Sequence, residues 1–135
     1  MLRVLAAGAS PHVRAVIGED GEVKDGRGRT LGFIEPNGEA GDANLTYAGQ
    51  AHLGTGLVTD ADDVVIGEFD AGRGFVRDTQ GSVVAEVTRN GSRVTNNAMM
   101  TVGSIDGFGF GHMATVAAYL LLLDRAYLAR LEVSD

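Results

Sequence analysis

Two sets of side chains in this sequence are of the right types for chemistry. The first is the three histidines, His12, His52 and His112. A histidine catalyst or metal ligand needs partners within hydrogen-bond or coordination reach. These three fall at no ligand spacing, so surface or capping roles are expected of them. The second set is a series of short oxygen-bearing residues, Asp25, Asp42, Asp60, Asp78 and Asn96, spaced by 17, 18, 18 and 18 residues. Stacked in register, such oxygens form a row that suits a hard cation. Asp25, Asp42, Asp60, Asp62, Asp63 and Asp78 would then be ligands for calcium. The competing reading needs no metal, because Asp and Asn open tight turns by accepting a backbone N–H two residues on. The turn reading is preferred and calcium is the alternative. The run Asp60-Ala61-Asp62-Asp63 lacks the downstream Gly and Glu of an EF-hand loop.

No catalytic residue and no cofactor emerges from the remaining motifs. Ser10, Ser82, Ser92, Ser104 and Ser134 lie outside any nucleophile-elbow context. The G-F-G-F-G run from Gly107 to Gly111 lacks the Lys-Ser/Thr of a phosphate loop and reads as a hinge. An enzyme is therefore not expected, although sites scattered along a chain escape this kind of reading.

The elements that would position these residues come from a repeat. In Val83 to Asn96, apolar Val83, Ala85 and Val87 alternate with Glu86 and Thr88, the period of a half-buried strand. Asn90-Gly91 then signals a hairpin, and the chain returns to a second turn at Asn96. With Ala85 as position zero, five more copies centre on Ala15, Gly32, Gly49, Gly67 and Gly103. Position minus two holds Val13, Thr30, Tyr47, Val65, Val83 and Thr101, all strand formers. Position plus two holds Ile17, Ile34, Ala51, Phe69, Val87 and Ile105, all apolar. The first turn carries Gly21, Gly38, Gly56, Gly74, Gly91 and Gly109. Fixed-period self-similarity means that neighbouring units share one continuous core. A row of Gly and Ala on adjacent strands leaves a trough, and something must lie against it.

From His112 the period changes. Met113 to Leu123 is apolar except for Thr115, and the pattern continues to Leu131. Ala and Leu dominate, so a helix is expected, buried on most sides in its first half. Its apolar run is shorter than the ~20 residues that span a bilayer, so no transmembrane span is expected. The helix should fill the trough or pair with a copy of itself.

The chain has 135 residues with a formal charge of −7 and no cysteine. That length suits one domain. The charge and the lack of a Lys/Arg cluster disfavour nucleic acid as a partner. Residues 1–11 are apolar with too short a core for a signal peptide, and read as a first strand or lead-in segment. No compartment is specified, and the cytoplasm is the default.

The stretches Leu31-Gly-Phe-Ile-Glu-Pro-Asn-Gly38, Ile66-Gly-Glu-Phe-Asp-Ala-Gly-Arg-Gly74 and Val102-Gly-Ser-Ile-Asp-Gly-Phe-Gly109 resemble uncharacterised glycine-rich β-hairpin repeat proteins with V-G-x-V-x-x-x-G-x-V units. The resemblance covers roughly residues 15–109, leaves out the helix, and implies no activity.

The expected architecture is all-β: a lead-in over 1–11, an antiparallel meander or roll of six ~18-residue hairpin repeats over 12–110, and one C-terminal α-helix over 111–132 packed on it. A β-solenoid, or a barrel around the helix, is the alternative. The expected function is a non-enzymatic structural or assembly module, a homo-oligomer through the C-terminal helix or a partner of another protein subunit. The alternative is a ligand- or calcium-binding module.

Overall fold

The computed structural model of the protein describes residues 1–7, 12–88, 90–96 and 98–124. Among these residues, twelve antiparallel strands close into a barrel around a central helix. The strands are β1 (Leu2–Ala6), β2 (His12–Ile17), β3 (Glu22–Asp25), β4 (Thr30–Ile34), β5 (Glu39–Asp42), β6 (Tyr47–Ala51), β7 (Leu57–Asp60), β8 (Val65–Asp70), β9 (Phe75–Asp78), β10 (Val83–Val87), β11 (Val94–Thr95) and β12 (Thr101–Asp106). Each pairs with its sequence neighbours, and β1 closes on β12. The meander is thus rolled shut, and the solenoid is set aside.

The six-unit reading survives closure, with one correction. Among the described residues unit six has no return strand after β12, and residues 2–6 supply it. In unit one Ala15 pairs with Asp25 and Ile17 with Val23. In unit six Gly103 pairs with Ala6 and Ile105 with Val4. Val4 therefore occupies the place of Val23, and β1, the first strand expected in residues 1–11, is the sixth unit's second strand. Gly109 does not make a sixth first turn either. The left-handed residue is Gly107, with φ 82°, and the chain leaves there for the helix.

A second correction concerns which side chains face inward. Between the two strands that join consecutive units, the register slips by one residue in six places. Each slip is a β-bulge that sets positions minus one and zero opposite a single residue. Leu31 and Gly32 thus face Val23, and Ile66 and Gly67 face Val58. Position minus two is thrown to the outer wall, so Tyr47, Val65 and Thr101 are exposed instead of sharing the inner face. The inner lining is Ala15, Ala51, Ala85, Ile17, Ile34, Val87 and Ile105 with a ring missing from the sequence reading: Val4, Val23, Ala40, Val58, Val76 and Val94, all buried.

The helix occupies the trough. A 3-10 turn (Phe110–His112) leads into α1 (Met113–Ala118), which winds into a π turn over Tyr119–Leu123. Met113, Ala117, Ala118 and Tyr119 are fully buried. A Cβ on Gly67 would stand 2.8 Å from Leu121 Cδ1, one on Gly49 2.8 Å from Leu122 Cδ2, and one on Gly32 3.0 Å from Leu123 Cδ2. These glycines are small because the plug's leucines come against them. The expected helix positions beyond Asp124, including Arg125, Tyr127, Leu128, Arg130 and Leu131, lie outside the described residues. No described helix is long and apolar enough to cross a membrane.

Candidate functional site

The two rims of the barrel are built from different turns. At the glycine rim, the N–H of Gly21 returns to Gly18 O, that of Gly38 to Glu35 O and that of Gly91 to Thr88 O. The glycines at 21, 38, 56, 74 and 91 all have positive φ. Asn90 does not, so the expected two-residue turn with both residues left-handed is replaced by a longer loop closed by a glycine bulge.

The aspartate series forms the other rim, and each member does the same local work. Asp25 Oδ1 accepts the N–H of Arg27 and Arg29, and Asp42 Oδ1 those of Asn44 and Thr46. Asp60 takes Asp62 and Val64, Asp78 takes Gln80 and Ser82, and Asn96 takes Ala98 and Met100. These ten bonds are 2.8–3.0 Å long. The N–H of Arg29, first among the causes, holds the Asp25 carboxyl below its ordinary value. Asp62 and Asp63 sit in the Asp60 turn, where Asp63 has φ 62°. Among the described residues no three acidic, His or Cys groups converge as metal ligands.

The histidines are equally dispersed. His52 Nε2 shares a 2.9 Å hydrogen bond with Thr59 Oγ1. His112 Nδ1 accepts the N–H of Gly109 at 2.9 Å, a capping contact at the start of the plug. His12 lines a cleft at the aspartate rim.

That cleft holds the least expected group of side chains. Five of the six minus-one positions are apolar (Leu31, Ala48, Ile66, Val84, Val102), and the sixth is Arg14. The bulge that turns the others inward turns Arg14 toward the end of the plug. Its Nε and Nη2 donate to Asp124 Oδ2 and Oδ1 at 2.9 and 3.0 Å. The buried Tyr119 hydroxyl donates to Asp124 Oδ2 at 2.5 Å. The π turn makes this possible: the N–H of Asp124 bonds to Tyr119 O five residues back, which brings the two side chains together. Hydrogen bonds to Asp124 are the first cause that holds the Arg14 guanidinium above its ordinary value. The sequence signal existed, as the one charge at an otherwise apolar repeat offset, but the bulge needed to read it was not visible.

The cleft around this cluster has a volume of about 770 Å³ and is open to solvent. Val13, Arg14, Asp25, Gly26, Arg27, Arg29, Leu31 and Asp124 complete its wall with His12. Elsewhere, the outer wall of β6–β8 carries exposed apolar side chains in two hollows, Leu45 with Tyr47 and Leu57 with Val65. Tyr47 on β6, Leu57 on β7 and Val65 on β8 are 41%, 36% and 44% exposed, and Leu45 and Val64 in the flanking turns are more so. Compared with protein-family models, curated proteins and solved structures, the chain has no match.

Proposed function

We propose that the protein is a non-enzymatic assembly module, a plugged barrel that contacts a second copy of itself through the outer wall of β6–β8. The observation that carries this reading is the set of exposed apolar side chains on that wall. Leu57 and Val65 line one hollow of that wall and Leu45 and Tyr47 another nearer the aspartate rim, and large exposed apolar side chains on one wall mark contact sites. The wall also carries both signs of charge, with Glu68 and Arg77 paired at 3.3 Å beside Leu57 and Val65. A twofold contact repeats the same patch on both subunits, so it needs a surface that complements itself in this way. Burial from the solvent and the neighbouring Asp63 and Glu39 already push the Tyr47 phenol above its ordinary value. A partner covering it would add to that desolvation.

The route to assembly differs from the one expected of the sequence. Residues 113–121 are enclosed by strands, so this part of the helix is no contact surface. The experiment is sedimentation velocity over a wide concentration range, on the wild type and on a Tyr47→Lys/Leu57→Lys variant. Concentration-dependent dimer in the wild type and monomer in the variant, at an unchanged melting temperature, is the expected result. A wild type that stays monomeric at every concentration refutes the proposal.

A further inference from the structure

We infer that the cleft at the aspartate rim is a binding site for a small polyvalent oxyanion. The chain as a whole repels anions, with 18 acidic residues against 11 basic ones. The cleft inverts that balance, with Arg14, Arg27 and Arg29 on its wall against Asp25 and Asp124. Two of the three arginines are oriented by carboxylates: Arg14 by Asp124, and Arg29 Nε by Asp25 at 2.9 Å. Among the described residues Arg27 forms no ion pair, and its backbone N–H is already tied down by Asp25. Its guanidinium is the group left to meet a ligand, with Arg29 beside it. Guanidinium groups pair with carboxylates and phosphates through two parallel hydrogen bonds, so an oxyanion is the matching chemistry. His12 adds a ring N–H donor.

The floor is held in place by the fold. A Cβ on Gly26 would lie 2.3 Å from Val13 O, so the β3–β4 turn that carries Arg27 and Arg29 is pressed against β2. The cleft volume of about 770 Å³ lies within the ordinary range for small-molecule sites. Val13 and Leu31 give it apolar wall, which suits an anion with a carbon skeleton. This site does not depend on self-association, because β6–β8 take no part in it.

Isothermal titration with citrate and with inorganic pyrophosphate, each against sodium chloride at matched ionic strength, tests the inference. The titrations use the wild type and the Tyr47→Lys/Leu57→Lys background, so that a failure of assembly is not mistaken for a failure of binding. Saturable binding of one or both probes is expected, and the stronger probe identifies a carboxylate or a phosphoryl ligand. Arg27→Glu should weaken it at least about tenfold, through the loss of one charge-assisted contact and the repulsion of the new carboxylate. Arg93→Glu makes the same charge change in the exposed turn at the glycine rim and should leave binding unaltered. Absence of heat for both probes, or equal weakening by the two substitutions, overturns the inference.

Discussion

Gly67→Ala puts the relation between plug and barrel to a quantitative test. Gly67 does not have a positive φ, so alanine adopts its backbone without strain. Removing a glycine from the unfolded chain would by itself stabilise by about 0.4–1 kcal/mol. Against this, the new Cβ would stand 2.5 Å from Arg77 O and 2.8 Å from Leu121 Cδ1. Carbon atoms are at ease at about 3.5–4.0 Å, so strand β9 and the plug must both give way. Arg77 O belongs to a paired strand, which places the cost toward the upper part of the ~1–3 kcal/mol seen for overpacked cores. At ~2 kcal/mol net, a chain of 135 residues should melt about 7 °C lower. Thermal unfolding followed by circular dichroism reads this directly. Leu121→Ala alone should cost ~2–5 kcal/mol as a cavity. In the double variant the methyl occupies part of that cavity, so the two losses should fall short of additivity by at least ~0.5 kcal/mol. Strict additivity, or a Gly67→Ala protein as stable as the wild type, would mean that Leu121 does not lie against β8, and the argument from small residues would fail.

Three further outcomes follow from the aspartate rim and the Arg14–Asp124 pair. Asp42→Ala should destabilise by about 1–2 kcal/mol in urea unfolding, because two backbone N–H groups lose their acceptor, whereas Asp42→Asn should cost less than ~0.5, as Asn96 already fills this role. At Asp25 the folded carboxyl titrates lower than the unfolded one, so its contribution is complete above the ordinary carboxylate range and fades as pH falls through the folded value. An NMR titration that places the Asp25 midpoint at or above its model-peptide value would contradict the turn geometry. Asp124→Ala should destabilise by roughly 3–5 kcal/mol because Arg14 and the buried Tyr119 hydroxyl both lose their carboxylate acceptor, while Arg14→Leu/Tyr119→Phe/Asp124→Ala should recover most of the loss. Recovery of less than half in chemical unfolding would show that the pair does more than balance its own charges.

The strands, the two kinds of turn and the plug were legible because each is written in local pattern: alternation, Asp or Gly at fixed offsets, and an Ala/Leu run. What was not legible is non-local. Nothing near Leu2–Ala6 announces that it completes a unit opening at Thr101, since that pairing joins opposite ends of the chain. The bulges escaped for a different reason. The sequence Val83-Val84-Ala85 supports plain alternation or a bulge equally well, and only closure of the sheet selects the bulge. Once it is selected, Val83 and Val84 exchange faces, and so do Val13 and Arg14. The candidate cleft therefore depended on a register detail that propensity does not encode. The aspartates were readable in the opposite sense, because their partners lie two and four residues away.

The position of Arg14 also bears on why the plug sits in one way. Barrels of about eight strands fill their interior with their own side chains, and twelve strands enclose more than that. Alanine, glycine and valine around the lumen leave room for a helix, but they recur in every unit. A helix tethered through Gly107 to Phe110 meets nearly the same surface after rotation from one unit to the next. Leu121, Leu122 and Leu123 against Gly67, Gly49 and Gly32 favour depth of insertion more than angle. The one minus-one position that is not apolar breaks this degeneracy, because Arg14 accepts only the setting that delivers Asp124 to β2. A buried ion pair adds little net stability over apolar replacements, yet it penalises every setting that leaves a charge unpaired. The Arg14→Leu/Tyr119→Phe/Asp124→Ala protein, which also removes the buried hydroxyl that Asp124 accepts, should therefore melt near the wild type while its plug methyl resonances broaden or double. Sharp single resonances for Leu121 to Leu123 in that variant would show that packing alone sets the angle.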